Sequence, residues 1–344
     1  MSRPLNSLNP MDRRKQRIDE LAASSAGPRG PRSVADGSSS VDVLVDDAGT
    51  VDEAPGVSLI ASAWRRLRRD PVFLVGAGIT LVFIVFAAIS PWIAPHDPAV
   101  GYLLDKVRPQ SNPIPGPEPG FPLGADDKGR DFLSRLMVGS QQTLIVGVLA
   151  TLIGLIGGLV LGILAGAFGG GIDAFVMRVV DVLLSIPSLL LALSIAALAS
   201  QPTQWTVIIA IAVVQIPVFA RLLRGSMLAQ RGSDHVLAAR ALGVTPSAVI
   251  FRHMVPNSLG PVIVQATLVL ATSIIDAAAL SFLGLGNPDD DAPEWGQMLG
   301  RSQQFIYDNP HLAIYPALCI ILVALGFTLM GESLREALDP KSRR

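Results

Sequence analysis

The sequence predicts an all-α protein that crosses a membrane six times and keeps both termini in the cytoplasm. Half of the 344 residues are hydrophobic and only 16% are charged, whereas average soluble domains carry about 25% charged residues. The hydrophobic residues are gathered into runs long enough to span a bilayer. Most basic residues outside these runs fall on one predicted side, which the positive-inside rule assigns to the cytoplasm.

The first 58 residues are rich in Ser, Gly, Pro, Asp and Arg and show no sustained periodicity. This composition predicts a disordered cytoplasmic tail, and the lack of an apolar core after the early basic residues argues against a signal peptide. Residues 59–95 are predicted to form an interfacial helix and the first span. A cluster of arginines at 65–69 precedes the apolar run 72–89, which at about 1.5 Å per residue is just long enough to cross.

Residues 96–140 are predicted to be an external loop, because proline and glycine are frequent and no period is sustained. Residues 141–335 are predicted to form a five-helix core, and residues 336–344 a charged cytoplasmic tail. Glycines three and four residues apart in the second span predict close helix packing, and Pro187 predicts a kink in the third. The five core spans are expected at 144–168, 176–199, 205–223, 259–285 and 312–330.

A polar stretch between the fourth and fifth spans predicts a helical hairpin. Gly243 follows good helix formers at a position where a helix commonly stops. Thr245 is predicted to cap the second helix with its hydroxyl, and Pro246 suits the first helical position. That helix is expected to end at Val255, because Pro256 disfavours helical backbone in the residue before it.

The hairpin also has the length of a DNA-reading helix-turn-helix, but a loop tied at both ends to membrane spans could not lie along a duplex. A purely structural role for this cytoplasmic loop remains an alternative interpretation. No P-loop, HExxH or Ser/His/Asp arrangement is present, and Cys319 is the single cysteine, so neither an intrachain disulfide nor a cysteine metal site can form. The sequence gives no positive sign of an enzyme.

The hairpin contains the segments Leu237-Ala-Ala-Arg-Ala-Leu-Gly243 and Arg252-His-Met-Val-Pro256. They resemble the E-A-A, three residues, Gly signature of inner-membrane permeases of binding-protein-dependent ABC importers. Other segments resemble the second permease subunit of dipeptide, oligopeptide and nickel importers. The resemblance covers about residues 60–340, and its further segments are 121–135, 166–173, 278–286 and 334–340.

The resemblance implies the type I ABC importer permease fold in a bacterial inner membrane and import of peptides by alternating access. It implies no catalytic, metal or cofactor site in this chain, with ATP and Mg bound by partner ATPase subunits. The implied partners are a second homologous permease, two ABC ATPase subunits, an extracytoplasmic substrate-binding protein and membrane lipids, with no nucleic acid.

The resemblance also implies that the hairpin, within a coupling loop at 229–257, docks on the ATPase. The family usually has Glu at the position of Leu237, and Asp234 one turn earlier is a hypothetical substitute. The residues expected to couple the ATPase to the permease are Asp234, Leu237, Ala238, Ala239, Gly243, Arg252, His253 and Pro256.

Two further pairs of residues are candidate sites. Asp276 lies inside an apolar run, where a lipid-facing carboxylate would cost several kcal/mol, so it is expected to face the bundle interior or water. With Gln215 it is assigned to the translocation pathway, and pairing with a neighbouring helix is the alternative. Arg130 and Asp131 are expected either to contact the binding protein or to anchor the external segment at the membrane interface.

Other functions remain open at this stage. A permease for nickel or another small solute in the same family would have almost the same sequence pattern. A secondary transporter or channel subunit is a different class, but such transporters usually show internal repeats and coupling carboxylates. This chain shows no repeat and one clear interior carboxylate, Asp276. A membrane scaffold would not need a dedicated docking loop.

Overall fold

The computed structural model describes residues 59–107 and 114–338. The predicted tail at 1–58 and residues 339–344 lie outside the described residues. The described chain is helical, and its only β-type pairings are two isolated bridges in the segment before the second span, Glu118 with Phe121 and Ala125 with Asp131. This confirms the all-α class.

The described residues form ten helices, with a long connection between α2 and α3 and 3₁₀ turns at Leu104–Lys106 and Gln303–Phe305. Five of these helices (α2, α3, α6, α8 and α10) are long and apolar enough to cross a membrane, and the bent pair α4 and α5 can form the sixth span. The bounds are α1 Leu59–Leu67, α2 Pro71–Ile93, α3 Phe132–Phe168, α4 Gly170–Ser185, α5 Ser188–Ala197, α6 Gln204–Gln230, α7 Asp234–Ala241, α8 Pro246–Phe282, α9 Trp295–Ser302 and α10 His311–Leu338.

The second span begins earlier than the hydropathy pattern predicted. Asp131 caps α3 by accepting hydrogen bonds from the backbone N–H groups of Leu133 and Ser134, both at 3.3 Å. Helix α3 therefore starts at Phe132 rather than near residue 144. The Asp131 cap lets the helix start before the apolar run, because it satisfies N–H groups that would otherwise lack partners.

The third span is broken rather than kinked. Proline has no backbone N–H and biases the preceding residue toward extended backbone, and Ile186 has φ −91° and ψ 132° before Pro187. Helices α4 and α5 meet at this point with a bend of 94°. The predicted position is confirmed, but the bend is a break between two helices.

Helix α3 packs on α6 through a row of glycines at every fourth residue. A Cβ atom at Gly158 would lie 2.3 Å from the Phe219 Cβ, so the two backbones approach closer than any larger residue allows. In lipid, such close packing replaces the hydrophobic driving force. This confirms the prediction from glycine spacing; the glycines are Gly154, Gly158, Gly162 and Gly166, which face Gln215, Phe219, Leu223 and Met227 respectively.

Helix α10 packs against α2 and against α8, and α2 also packs against α3. Helix α2 buries small residues such as Gly76 and Thr80 on this seam. Its large apolar side chains, among them Leu81 and Val82, are exposed. An exposed apolar surface of this extent is explained by contact with lipid acyl chains.

We predict that Gly158→Ala destabilises the protein, because the added methyl group would overlap Phe219 at the α3–α6 contact. Overpacking of this kind costs about 1–3 kcal/mol, and the thermal unfolding midpoint in detergent measures it. Gly78→Ala is the matched control, since nothing lies within 4 Å of a Cβ there. Equal midpoints for the two variants would contradict the close contact.

Candidate functional site

The hairpin, residues 234–256, starts with α7 and turns at a glycine. Gly243 has φ +75°, a backbone conformation that glycine adopts without steric cost. Its N–H donates to the Arg240 carbonyl at 3.0 Å, and the Val244 N–H donates to the Ala239 carbonyl at 3.1 Å. These two bonds form a complete Schellman cap, so the predicted helix stop at Gly243 is confirmed.

The second half of the hairpin differs from the prediction. Pro246 occupies the first helical turn as expected, but the Thr245 side chain makes no capping hydrogen bond. The helix does not end at Val255. Helix α8 passes through a π-helical turn at Val249–Met254 and then continues to Phe282, with Pro256 in the first turn after the π turn. A wider π turn accommodates a proline that would break a regular helix.

The inner face of the hairpin is packed onto two spans. Val236 and Met254 are buried with Phe219 and Met227 of α6 and with Val262 of α8 in one apolar cluster. Asn257 links the two halves of the hairpin, since its side-chain amide donates to the His253 carbonyl at 2.6 Å and lies 3.4 Å from the His235 ring. The hairpin is therefore a continuation of α6 and α8 and not a free loop.

The outer face of the hairpin is exposed and partly apolar. Leu242 is 84% exposed, Phe251 62% and Leu237 50%. Asp234, Ala238, Arg240, Arg252 and Pro256 are also exposed, whereas Ala239 is buried. Of the predicted coupling residues, Ala239 and the half-buried His253 support the fold of the hairpin, and the others lie on its surface.

A cavity of about 250 Å³ lies at the break between α4 and α5. Gln215 of α6 and Asp276 of α8 both line it, together with Ile186 and Thr272. The two residues predicted for the pathway are thus brought to one cavity. A second cavity, of about 720 Å³, shares Leu184 and Val218 with the first and extends toward Arg221.

Arg130 and Asp131 lie inside the protein rather than on its surface. The Arg130 guanidinium donates to the Asp126 carboxylate at 2.8 Å and to the Asp290 carbonyl at 2.8 Å, and the Arg130 side chain is only 2% exposed. Asp131 accepts from Ser134 Oγ at 2.5 Å and lies 3.1 Å from His96 Nδ1. The Arg130 bond to Asp290 holds the segment before α3 against the loop after α8. A contact of either residue with a binding protein stays a prediction.

The loop after α8 forms one further helix, α9, which the sequence did not suggest. Trp295 at its start is fully buried, and its indole N–H donates to the Leu136 carbonyl of α3 at 2.9 Å. Gly296 packs directly on Ala278 of α8. The tryptophan was the only local signal, and its contacts lie far away in sequence.

Glu294, just before α9, is a buried carboxylate that sequence reasoning also missed. Ser281 Oγ donates to both of its oxygens at 2.9 Å. Burial raises the pKa of the Glu294 carboxyl from 4.5 to about 7, and the Ser281 hydrogen bond opposes part of that rise. Glu294 therefore changes charge near neutral pH. Within the described residues, no three His, Cys, Asp or Glu side chains are grouped so that they could hold a metal ion.

The long apolar helices and the polar hairpin between two of them define a polytopic membrane protein. Residues 158–344 match the family described as binding-protein-dependent transport system inner membrane component, and residues 58–113 match the N-terminal TM domain of oligopeptide transport permease C. The first match covers more than half of the chain. The chain belongs to this family of inner-membrane permease components and is a multi-pass protein of the inner membrane.

Curated relatives are similar over most of their length. A dipeptide transport system permease protein of Alkalihalophilus pseudofirmus is 40% identical, over 85% of this chain and 93% of the relative. A probable D,D-dipeptide transport system permease protein of Escherichia coli is 39% identical, over 80% and 90%. A glutathione transport system permease protein of Salmonella typhimurium is 41% identical, over 81% and 89%.

We predict a pH dependence of stability that Glu294 controls. Its folded-state pKa of about 7 lies above the ordinary value of 4.5, so the folded protein binds the proton more tightly than the unfolded chain. Stability should therefore fall as the pH rises from about 4.5 to about 7, by about 1.4 kcal/mol per pH unit, and then level off.

Glu294→Gln should remove this slope, because the amide keeps an acceptor for Ser281 and carries no charge. The measurement is the thermal midpoint in detergent from pH 5 to pH 8 for both proteins. The thermal midpoint of the variant, measured relative to that of the wild type, should increase as the pH rises. A difference that stays constant across the range would show that Glu294 does not titrate there.

Proposed function

We propose that this chain is a permease subunit that moves peptides across the cytoplasmic membrane, driven by ATP hydrolysis on separate ATPase subunits. Membership of the family and the names of the dipeptide and glutathione relatives support peptides as the substrate class. The observation that carries the proposal is the hairpin, which is packed into α6 and α8 on one face and exposes an apolar face on the other.

The proposed partners are a second homologous permease, two ATPase subunits that bind ATP and Mg, and an extracytoplasmic substrate-binding protein. In this arrangement the hairpin and both termini lie in the cytoplasm, and α9 lies at the outer side, at the opposite end of α8. The external segment held by Arg130 and Asp131 then forms part of the outer surface that meets the binding protein. Neither side chain reaches that surface itself, so their contribution is to fix the segment.

We infer that the ATPase contact is mainly apolar. Leu237 stands where the family usually has an acid, and it is exposed beside the even more exposed Leu242. Burying one such leucine contributes about 1.5–3 kcal/mol, whereas an exposed ion pair contributes about 1 kcal/mol or less. An apolar contact can therefore replace the missing acid, with Asp234 and Arg252 at its rim.

The motion of the ATPase would reach the cavity through the buried face of the hairpin. Val236 and Met254 are packed on α6 and α8, which also carry Gln215 and Asp276. A displacement of the hairpin would therefore move two walls of the cavity together. This is the proposed mechanical step of alternating access.

Uptake of radiolabelled alanyl-alanine into proteoliposomes holding the complete complex tests the proposed function. The complex comprises this chain, its partner permease, the ATPases and the binding protein. Uptake should require ATP and the binding protein. Uptake of nickel in place of peptides would instead identify the metal-ion branch, and ATP-independent uptake would identify a secondary transporter.

We predict that Gly243→Val uncouples ATP hydrolysis from transport. A β-branched residue at φ +75° costs about 1–2 kcal/mol or more in the turn, which would displace the hairpin. The readout is peptide transported per ATP hydrolysed. Gly284→Val is the matched control, because Gly284 closes the other end of α8 with φ +83° and the same pair of cap hydrogen bonds. Equal coupling ratios in the two variants would remove the hairpin from the mechanism.

We also predict that Leu237→Gln weakens the ATPase contact about tenfold or more, because the buried apolar surface is lost. Asp234→Asn should change the affinity less than threefold, since an exposed charge contributes little. Binding of the purified ATPase to the detergent-solubilised permease pair measures both. The reverse order of effects would show that Asp234 supplies the missing acid.

A further inference from the structure

The cavity at the α4–α5 break carries a single charge. Ten residues line it, and Asp276 is the only charged side chain among them. Most of the other lining residues are apolar, among them Leu183, Ile186 and Val214. A cavity of about 250 Å³ with one fixed anion discriminates between solutes by their charge.

Asp276 has no internal counter-charge. Across residues 59–107 and 114–338, no side chain or backbone group forms a hydrogen bond or ion pair with its carboxylate. The Thr272 hydroxyl, one turn earlier, donates to the Val269 carbonyl at 2.9 Å. Arg221 in the adjoining cavity is held by Asp181 at 2.5 Å. A carboxylate at membrane depth is costly unless a cation or water accompanies it.

The helix break adds a second feature that favours a positive charge. Leu183 lies four residues before Pro187, so its carbonyl cannot receive the usual helical hydrogen bond and has only a long contact of 3.4 Å from the Ile186 N–H. The carboxyl-terminal end of α4 thus presents poorly satisfied carbonyl groups and the negative end of its dipole. Leu183 and Ile186 line the same cavity as Asp276.

We propose that Asp276 and the carboxyl-terminal end of α4 form a binding site for an ammonium group of the transported solute. For a peptide this group is the free α-amino terminus, so this site rests on the proposed peptide function and names what the cavity recognises. An ammonium group has three N–H donors, which the two carboxylate oxygens and a helix-end carbonyl can accept together. The Gln215 side chain lies beside it as a neutral hydrogen-bonding group.

The test compares Asp276→Asn and Asp276→Glu in the complete complex in proteoliposomes. A charge-assisted hydrogen bond contributes about 1.5–3 kcal/mol. We therefore expect Asp276→Asn to lower alanyl-alanine uptake roughly tenfold or more at fixed peptide concentration. Asp276→Glu should retain most of the uptake. ATPase stimulation by the binding protein should persist in both. Asp308→Asn, the same change at an exposed position, should match the wild type.

A charge rescue separates the sign of the charge from the shape of the side chain. The chain has one cysteine, Cys319, so Asp276→Cys is made with Cys319→Ala. Reaction with a methanethiosulfonate that adds a sulfonate should restore uptake. The reagent that adds a trimethylammonium group should not, although both adducts are similar in size.

Several results would overturn the site. Equal uptake by Asp276→Asn and the wild type, or equal rescue by both reagents, would show that the negative charge is not needed. Dissociation of the Asp276→Asn complex on size-exclusion chromatography would instead show that Asp276 pairs with the second permease. If the wild-type complex itself takes up no peptide while its ATPase responds to the binding protein, the peptide function fails and the ammonium site fails with it.

Discussion

The contact between α3 and α6 is the constraint on which the rest of the bundle depends. From Gly154 to Gly166 every fourth residue of α3 is glycine, so side chains of α6 pack directly on the α3 backbone. The same helix α6 carries Gln215 at the cavity and Met227 in the cluster beneath the hairpin. Because close-packed interiors transmit strain, α6 connects the two regions.

Two stretches of irregular backbone lie next to the regular, close-packed helices α3 and α6. The chain departs from regular helix at Pro187 and in the π turn at Val249–Met254. The break at Pro187 lines the cavity beside α6. The π turn lies within α8 and joins the hairpin to the rest of that helix. Non-helical backbone inside a membrane is tolerated where it lines a cavity or is buried in protein. Ile186 and Ser188, on either side of Pro187, line the cavity.

Features fixed by local chemistry could be predicted from the sequence, and features fixed by distant partners could not. Gly243 was found because a helix stop has a local signature, and the glycine row because its period repeats along one helix. Arg130 has a local partner in Asp126, but its burial also depends on Asp290, 160 residues later, which no local pattern indicates. Helix α9 was missed for the same reason, since Trp295 is anchored by Leu136.

The end of the bundle that carries the loop after α8 shows how such distant contacts determine the response of the protein to salt and pH. The Arg130 and Arg135 guanidinium groups both donate to the Asp290 carbonyl and are shielded from solvent, so added salt screens these interactions little. Lys128 and Arg301, which pair with the Asp290 carboxylate, are more exposed and more readily screened. Glu294 lies four residues along the same loop and gains a proton near neutral pH. The loop after α8 is therefore held both by buried contacts that added salt screens little and by exposed ion pairs that it screens more, and pH changes the charge of its buried Glu294 carboxyl.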